Sequence, residues 1–133
     1  MDSVDLRAMP RLRLTPEEAR LAPVPIGLSK APVMRHGSME LRWHTPNGHS
    51  DQTPHDKDEV YVVVSGTAVF VRAEESTPFG DDLLPSLSGE ESVTVQPGDA
   101  LFVPAGTWHR FEAASSDFGA WAVFYGPEGG ERG

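Results

Sequence analysis

The stretch Gln52–Gly66, QTPHDKDEVYVVVSG, sets a histidine and a glutamate directly ahead of an apolar run. An imidazole nitrogen and a carboxylate oxygen are both donors to divalent metals. His55 and Glu59 are four residues apart in sequence. On one straight strand they would stand ~13 Å apart, too far to share an ion. A helix would bring them together, but Pro54 before His55 and the run Val60–Val64 (four valines and a tyrosine) after Glu59 favour strand, turn, strand. With the turn at Asp56-Lys57-Asp58, the chain folds back and both side chains can reach one ion. A second segment, Gly98–His109, GDALFVPAGTWH, passes from a turn through a short strand and a proline-glycine turn to a histidine. If a barrel returns this strand beside the first stretch, His109 completes a set of two imidazoles and one carboxylate.

The elements that must position these groups are mostly strands. Residues up to about Leu14 read as a polar arm. Thr15-Pro16-Glu17-Glu18 supplies an N-cap, a proline at the first helical position and a capping-box glutamate, predicting a short helix over residues 16–21. Prolines 23, 25 and 32 stop it and make residues 22–32 an extended connector, so residues 1–32 form an arm with a helix. From Ser38 the period is two: Met39, Leu41 and Trp43 alternate with Glu40, Arg42 and His44, predicting a strand with its apolar set toward the core and its polar set toward solvent. Ser65-Gly66 reads as a tight hairpin turn leading into a strand over residues 67–73. Residues 74–92, rich in acid, serine, glycine and proline with Phe79, Leu83, Leu84 and Leu87 among them, read as a long flap. Residues 93–95, 100–103, 108–112 and 118–125 are short strand-like runs at even spacing, which indicates a barrel or sandwich ending at about residue 126. The last run is apolar on both faces, suggesting an inter-sheet position or a subunit interface. The glycine-rich residues 127–133 read as a mobile tail.

At 133 residues the chain has the length of one domain with a real core. It has no cysteine, so any metal must be held by nitrogen and oxygen. A formal charge of −9 argues against a nucleic-acid partner, since backbone phosphates would be repelled. The first residues lack the apolar run of a signal peptide and no later run approaches a membrane span, so a cytoplasmic protein is the expectation.

His55, Glu59 and Gly66, and then Gly98, Pro104, Gly106 and His109, stand at the spacings of the two signatures of the cupin superfamily, which this sequence resembles. The resemblance implies an all-β fold, a double-stranded β-helix or jelly-roll barrel, over residues 33–126, with the short N-terminal helix and arm ahead of it. It is closer still to small single-domain bacterial cupins with a Gln-x-Pro-His-x-x-Asp-Glu-Val-Tyr pattern. Two positions depart from the family: Thr53 stands where another histidine is usual, and Ala113 where an asparagine is often found. The ligands carried over are His55, Glu59 and His109. Two histidines and one carboxylate with open positions suit a non-haem iron site, and manganese, nickel or zinc can occupy the same set. Gln52 is a candidate fourth donor if a bend at Pro54 turns its amide inward. His49, in a polar loop, reads as solvated.

Side chains sharing parity with the ligands should point into the barrel: Tyr61 and Val63 after Glu59, and Phe111 after His109. They would line a pocket for a small organic molecule with a polar end. His36 is a further candidate for the pocket mouth, and His44 is expected at the surface. Arg42 and Arg72 are read as surface residues with weak claims on a carboxylate, and Asp58 as a group that holds the turn or hydrogen-bonds behind the ligands. The ordinary alternative is that His55 caps a turn, Glu59 is solvated and His109 packs beside Trp108. Three functions follow: a metalloenzyme, preferably with dioxygenase-type chemistry, as the resemblance implies; a non-catalytic barrel binding a small molecule or metal; and a sugar-type isomerase or epimerase, which needs an extra base in the barrel. A homodimer is expected, since proteins of this type commonly pair.

Overall fold

The computed structural model describes residues 12–26, 30–46, 55–76 and 87–132, and of residues 74–76 and 87–90 the backbone alone. His49, Gln52, Thr53, Phe79, Leu83 and Leu84 lie outside the described residues. Helix α1, Pro16–Arg20, begins as the sequence requires: the Thr15 hydroxyl accepts from the Glu18 N–H while the Glu18 carboxylate accepts from the Thr15 N–H, a complete capping box.

Eight strands follow: β1 (Ala31–His36), β2 (Met39–His44), β3 (Asp58–Ser65), β4 (Ala68–Ser76), β5 (Leu87–Val95), β6 (Ala100–Val103), β7 (Trp108–Glu112) and β8 (Gly119–Tyr125). They form two antiparallel sheets, ordered β1-β2-β8-β3-β6 and β5-β4-β7. The inner faces of both sheets meet in one core of Tyr61, Val63, Phe70, Val95, Val103, Phe111, Phe118, Ala120, Ala122 and Phe124. This is the jelly-roll barrel that the resemblance implies, one of the barrel or sandwich forms indicated by the strand spacing. The apolar last run, β8, lies centrally between β2 and β3, which accounts for its two apolar faces.

Five expectations are corrected. Strand β1 was not anticipated, because Pro32 lies within it; the residue is tolerated on this edge strand, where the register shifts between Pro32 and Met34. Strand β2 is turned over relative to the prediction. Trp43 and Leu41 join Ala19, Ala31, Val33 and Trp121 in a second apolar layer outside the larger sheet, beneath α1. Glu40, Arg42 and His44 therefore face the barrel. The sheet is covered on both faces, so the apolar set of β2 does not mark the inner one. Ser65-Gly66 is no hairpin: β3 pairs with β6 and β8, whereas β4 pairs with β5 and β7, so the chain crosses between sheets here. Most of the expected flap on either side of residues 77–86 is strand, with β4 and β5 paired from Ala68↔Val95 to Ser76↔Leu87. The tail read as mobile is tied at two points. Gly129 N–H donates to the Asp56 carbonyl at 2.6 Å and Glu131 N–H to the Asp58 carboxylate at 2.9 Å.

The crossing depends on Gly66. Its φ of 74° is left-handed, and a Cβ there would lie 2.5 Å from Ser115 Oγ and 2.6 Å from the Phe118 Cα. Gly66→Ala is predicted to lose ~2 kcal/mol or more of unfolding free energy, from strain and the backbone clash together. Chemical denaturation checks this, and a variant as stable as wild type would contradict the crossing geometry.

Candidate metal centre

Strand pairing brings the two sequence motifs face to face. Glu59, on β3, pairs with Phe124 of β8 and Val103 of β6, while His109 is on β7 in the other sheet, opposite Arg72 of β4. The candidate site therefore spans the barrel from sheet to sheet. Gly106 N–H donates to the His55 carbonyl at 2.7 Å, and Ala105 N–H to the Asp58 carboxylate at 2.9 Å. The proline-glycine turn of the second motif is thus clamped to the first, in part through Asp58. Gly106 takes a φ of 78°, which a glycine adopts without steric cost.

His55, Glu59 and His109 each offer a ligand atom, all within 4.8 Å of one another. Nε2 of His109 lies 3.3 Å and Nε2 of His55 3.6 Å from Glu59 Oε1. Glu59 is 0% exposed, and neither carboxylate oxygen has a hydrogen-bond donor among the described residues. Nδ1 of His109 is 3.1 Å from the Thr107 carbonyl. A carbonyl only accepts, so Nδ1 carries the hydrogen, and a neutral ring then presents a lone pair on Nε2. That lone pair faces the Tyr61 hydroxyl at 3.2 Å and, at 3.3 Å, a carboxylate oxygen that has no donor among the described residues. Two lone pairs at this separation repel unless a proton or a cation lies between them, and a buried carboxylate without compensation is costly. A divalent cation satisfies all three groups at once, with the His109 tautomer fixed by Thr107 as metal-bound imidazoles commonly are. The residues present therefore fit a metal.

The surrounding shell follows the predicted parity. Tyr61, Val63 and Phe111 are all buried inside the barrel, and the Tyr61 hydroxyl lies 3.2 Å from His109 Nε2. Phe124 stacks edge-on against His55, with ring centroids 4.9 Å apart, and Phe70 and Phe111 pack around Tyr61. His36 does not join them: it is exposed at the end of β1, one turn from Met39. His44, expected at the surface, is buried in the barrel with its ring 5.2 Å from Phe111 and 5.8 Å from Tyr61. Its inward position follows from the reversed facing of β2. Arg72 conforms to a surface role, donating to the Phe102 carbonyl and to Glu91.

Two charged groups inside the barrel were not anticipated. Lys30 is only 2% exposed, with Nζ 5.7 Å from the Tyr61 ring centre and 5.9 Å from that of Phe124. No periodicity could signal it, because it precedes β1 in the proline-rich connector. Glu40 is also buried, and accepts from both Arg35 and Arg42. A mouth cavity of about 230 Å³ is lined by Glu40, Arg42, His55 and Phe124, with Asp56, Lys57 and Glu128 around it.

An antiparallel jelly roll with two imidazoles and one carboxylate converging in its interior defines a class of small barrels built around a candidate metal site. The family model for the cupin domain matches residues 86–125, which contain the second motif. The chain is also similar to solved structures at low identity. A Rhizobium leguminosarum bv. viciae protein of unknown function is 21% identical, with 90% of this chain and 100% of that one covered and a TM-score of 0.60. A cupin superfamily protein of Desulfitobacterium hafniense is 19% identical, with 92% and 98% covered and a TM-score of 0.53. Residues 86–125 are thus similar to a cupin domain, and the chain shares the fold of these solved structures. Among curated proteins, an uncharacterized protein of Streptomyces coelicolor is 36% identical over 77 residues; the match spans 58% of this chain and 58% of that relative's length.

Glu40 gives the site a pH-dependent part. Burial pushes its carboxyl up, but the hydrogen bonds and charges of Arg35 and Arg42 outweigh this and hold it below the ordinary value of 4.5. With the folded value depressed, its stabilising contribution is present above the unfolded value and is lost as pH falls through the folded one. The stability difference between wild type and Glu40→Gln should be constant near neutrality and shrink once the pH drops below 4.5, as followed by urea denaturation at several pH values. A difference that grows on acidification would contradict it.

Proposed function

We propose that this protein is a metal-dependent cupin in which His55, Glu59 and His109 hold one divalent cation, and that it carries out dioxygenase-type chemistry on a small organic molecule. The observation that carries this reading is the fully buried Glu59 carboxylate, whose close polar neighbours among the described residues are two imidazole nitrogens. Two histidines and one carboxylate leave open positions on an ion, an arrangement typical of non-haem iron oxygenases, although manganese, nickel or zinc suits the same donors. A metal held there supplies a Lewis acid or redox centre where substrate and dioxygen can meet.

The chain's own residues supply the rest. Phe124 against His55 and Phe70 beside His109 flank the donor set with aromatic rings, and the buried Glu59 and His109 interact in surroundings less polar than water. Tyr61 holds a hydroxyl beside His109 Nε2, where it can donate to a bound oxygen of the substrate. Gln52 stands in this proposal as a further donor. Homodimer assembly also stands with it, and a one-chain mass by light scattering would remove that part.

One observation favours a second reading. A sugar-type isomerase or epimerase needs a base apart from the metal ligands, and His44 is inside the barrel against Tyr61 and Phe111. Oxygen-electrode assays separate the two. Iron-loaded wild type should consume oxygen with members of a set of small aromatic and aliphatic acids, and Glu59→Ala should not. Substrate turnover without oxygen uptake, abolished by His44→Ala, would replace the dioxygenase reading with the second one.

A further inference from the structure

Arg42 is held in an unusual way for a residue at a cavity mouth. Its Nε donates to the buried Glu40 carboxylate, and its guanidinium carbon lies 4.6 Å from the centre of the Phe124 ring. Glu40 is itself fixed from the other side by Arg35, whose Nε donates to it at 2.9 Å. The guanidinium plane is therefore set by a salt bridge at one edge and an aromatic ring on one face. Its two terminal nitrogens have no hydrogen-bond partner among the described residues. A guanidinium whose remaining edge is free presents two parallel N–H donors, the geometry that a carboxylate accepts in bidentate fashion.

The position of that edge gives it a use. Arg42 and His55 line the same cavity of about 230 Å³, and both rest on one ring, Phe124. A cavity of this size is below the roughly 300 Å³ at which pockets for drug-sized ligands begin. A small molecule bound there can meet the donor set with one end and Arg42 with the other. We propose that Arg42 is a specificity-determining residue that anchors the carboxylate of a small monoanionic substrate at the barrel mouth. The inference rests on the metal-centre reading for the substrate's other end, but the anchor itself does not require the metal.

The charges around the cavity distinguish a carboxylate from a phosphate. Glu40 is already shared between two arginines, so the Arg35–Glu40–Arg42 cluster carries one net positive charge. Asp56, Lys57 and Glu128 also border the cavity, and the chain as a whole carries −9. With Lys57 offsetting one of the two further carboxylates, the cluster's one net positive charge balances a monoanion, whereas a phosphate dianion would retain a negative charge beside the remaining carboxylate.

Calorimetric titration tests this with four acids (acetate, propionate, benzoate and salicylate), their primary amides and inorganic phosphate, in metal-free and zinc-loaded protein. At least one acid should bind about tenfold or more tightly than its amide. Arg42→Gln, which keeps a donor for Glu40, and Arg42→Lys, which keeps the charge but not the fork, should both reduce that preference, the first to near parity. Metal affinity should stay close to wild type, while the melting temperature of Arg42→Gln should fall because Glu40 loses one of its two charged partners; circular dichroism at the titration temperature, together with retained zinc binding, separates loss of the anchor from loss of the fold. An acid preference that persists in zinc-free protein and disappears in Arg42→Gln supports the anchor even if no metal binds. Zinc binding with no acid preferred over its amide overturns the anchor while leaving the metal centre standing. Phosphate binding more tightly than every acid overturns the carboxylate assignment, and so does a preference unchanged in Arg42→Gln.

Discussion

A carboxylate cannot be removed from water among aromatic rings unless something replaces its hydration, and among the described residues Glu59 has imidazole nitrogens near it for that purpose. Much of the rest of the barrel can be read as the consequence. Sheet pairing delivers Glu59 from one side and His109 from the other, so the groups meet only when both sheets are closed. The Gly106–His55 and Ala105–Asp58 hydrogen bonds lock the turn that carries the second motif onto the first. The Thr107 carbonyl then sets the His109 tautomer that points a lone pair inward. Local structure, sheet topology and chemistry are linked through this one buried charge.

The same tension between charge and burial shapes the mouth. Outside, the molecule is acidic; inside, Lys30 is sealed against Tyr61 and Phe124, and Arg42 lies over Phe124 beside a buried Glu40. Polar residues on the inner face of β2 are costly to bury and contribute little to a core. Their pairing offsets that cost, and their placement gives the cavity a polar wall opposite an aromatic one. A barrel with Phe70, Phe111 and Phe124 on its inner surface can hold the carbon skeleton of a small molecule while the charged wall orients it.

The strands and the candidate triad were legible because both leave local traces: period-two alternation, glycine and proline at turns, and donors at fixed spacing within two short segments. Three features were not legible, each for a physical reason. The facing of β2 was reversed because an apolar stripe shows that something covers it, not which layer does; Trp43 packs under α1 rather than in the barrel, so His44 and Arg42 were placed outside. Ser65-Gly66 carries the residues of a tight turn, but a left-handed glycine serves a crossing between sheets as well as a hairpin. Lys30 sits in an irregular segment, where burial depends wholly on the tertiary fold and no pattern could report it.

The claim on which the account turns is that His55, Glu59 and His109 together hold one divalent ion. Elemental mass spectrometry of tag-free protein, after incubation with metal and removal of the excess, measures this directly for wild type and for His55→Ala, Glu59→Ala and His109→Ala. The account predicts about one metal per chain in wild type and a loss in each variant, with all four proteins folded by circular dichroism. Wild type that takes up no metal from excess iron, manganese, nickel or zinc, or variants that all retain it, would contradict the account, and the buried Glu59 would then have to be stabilised by a proton instead.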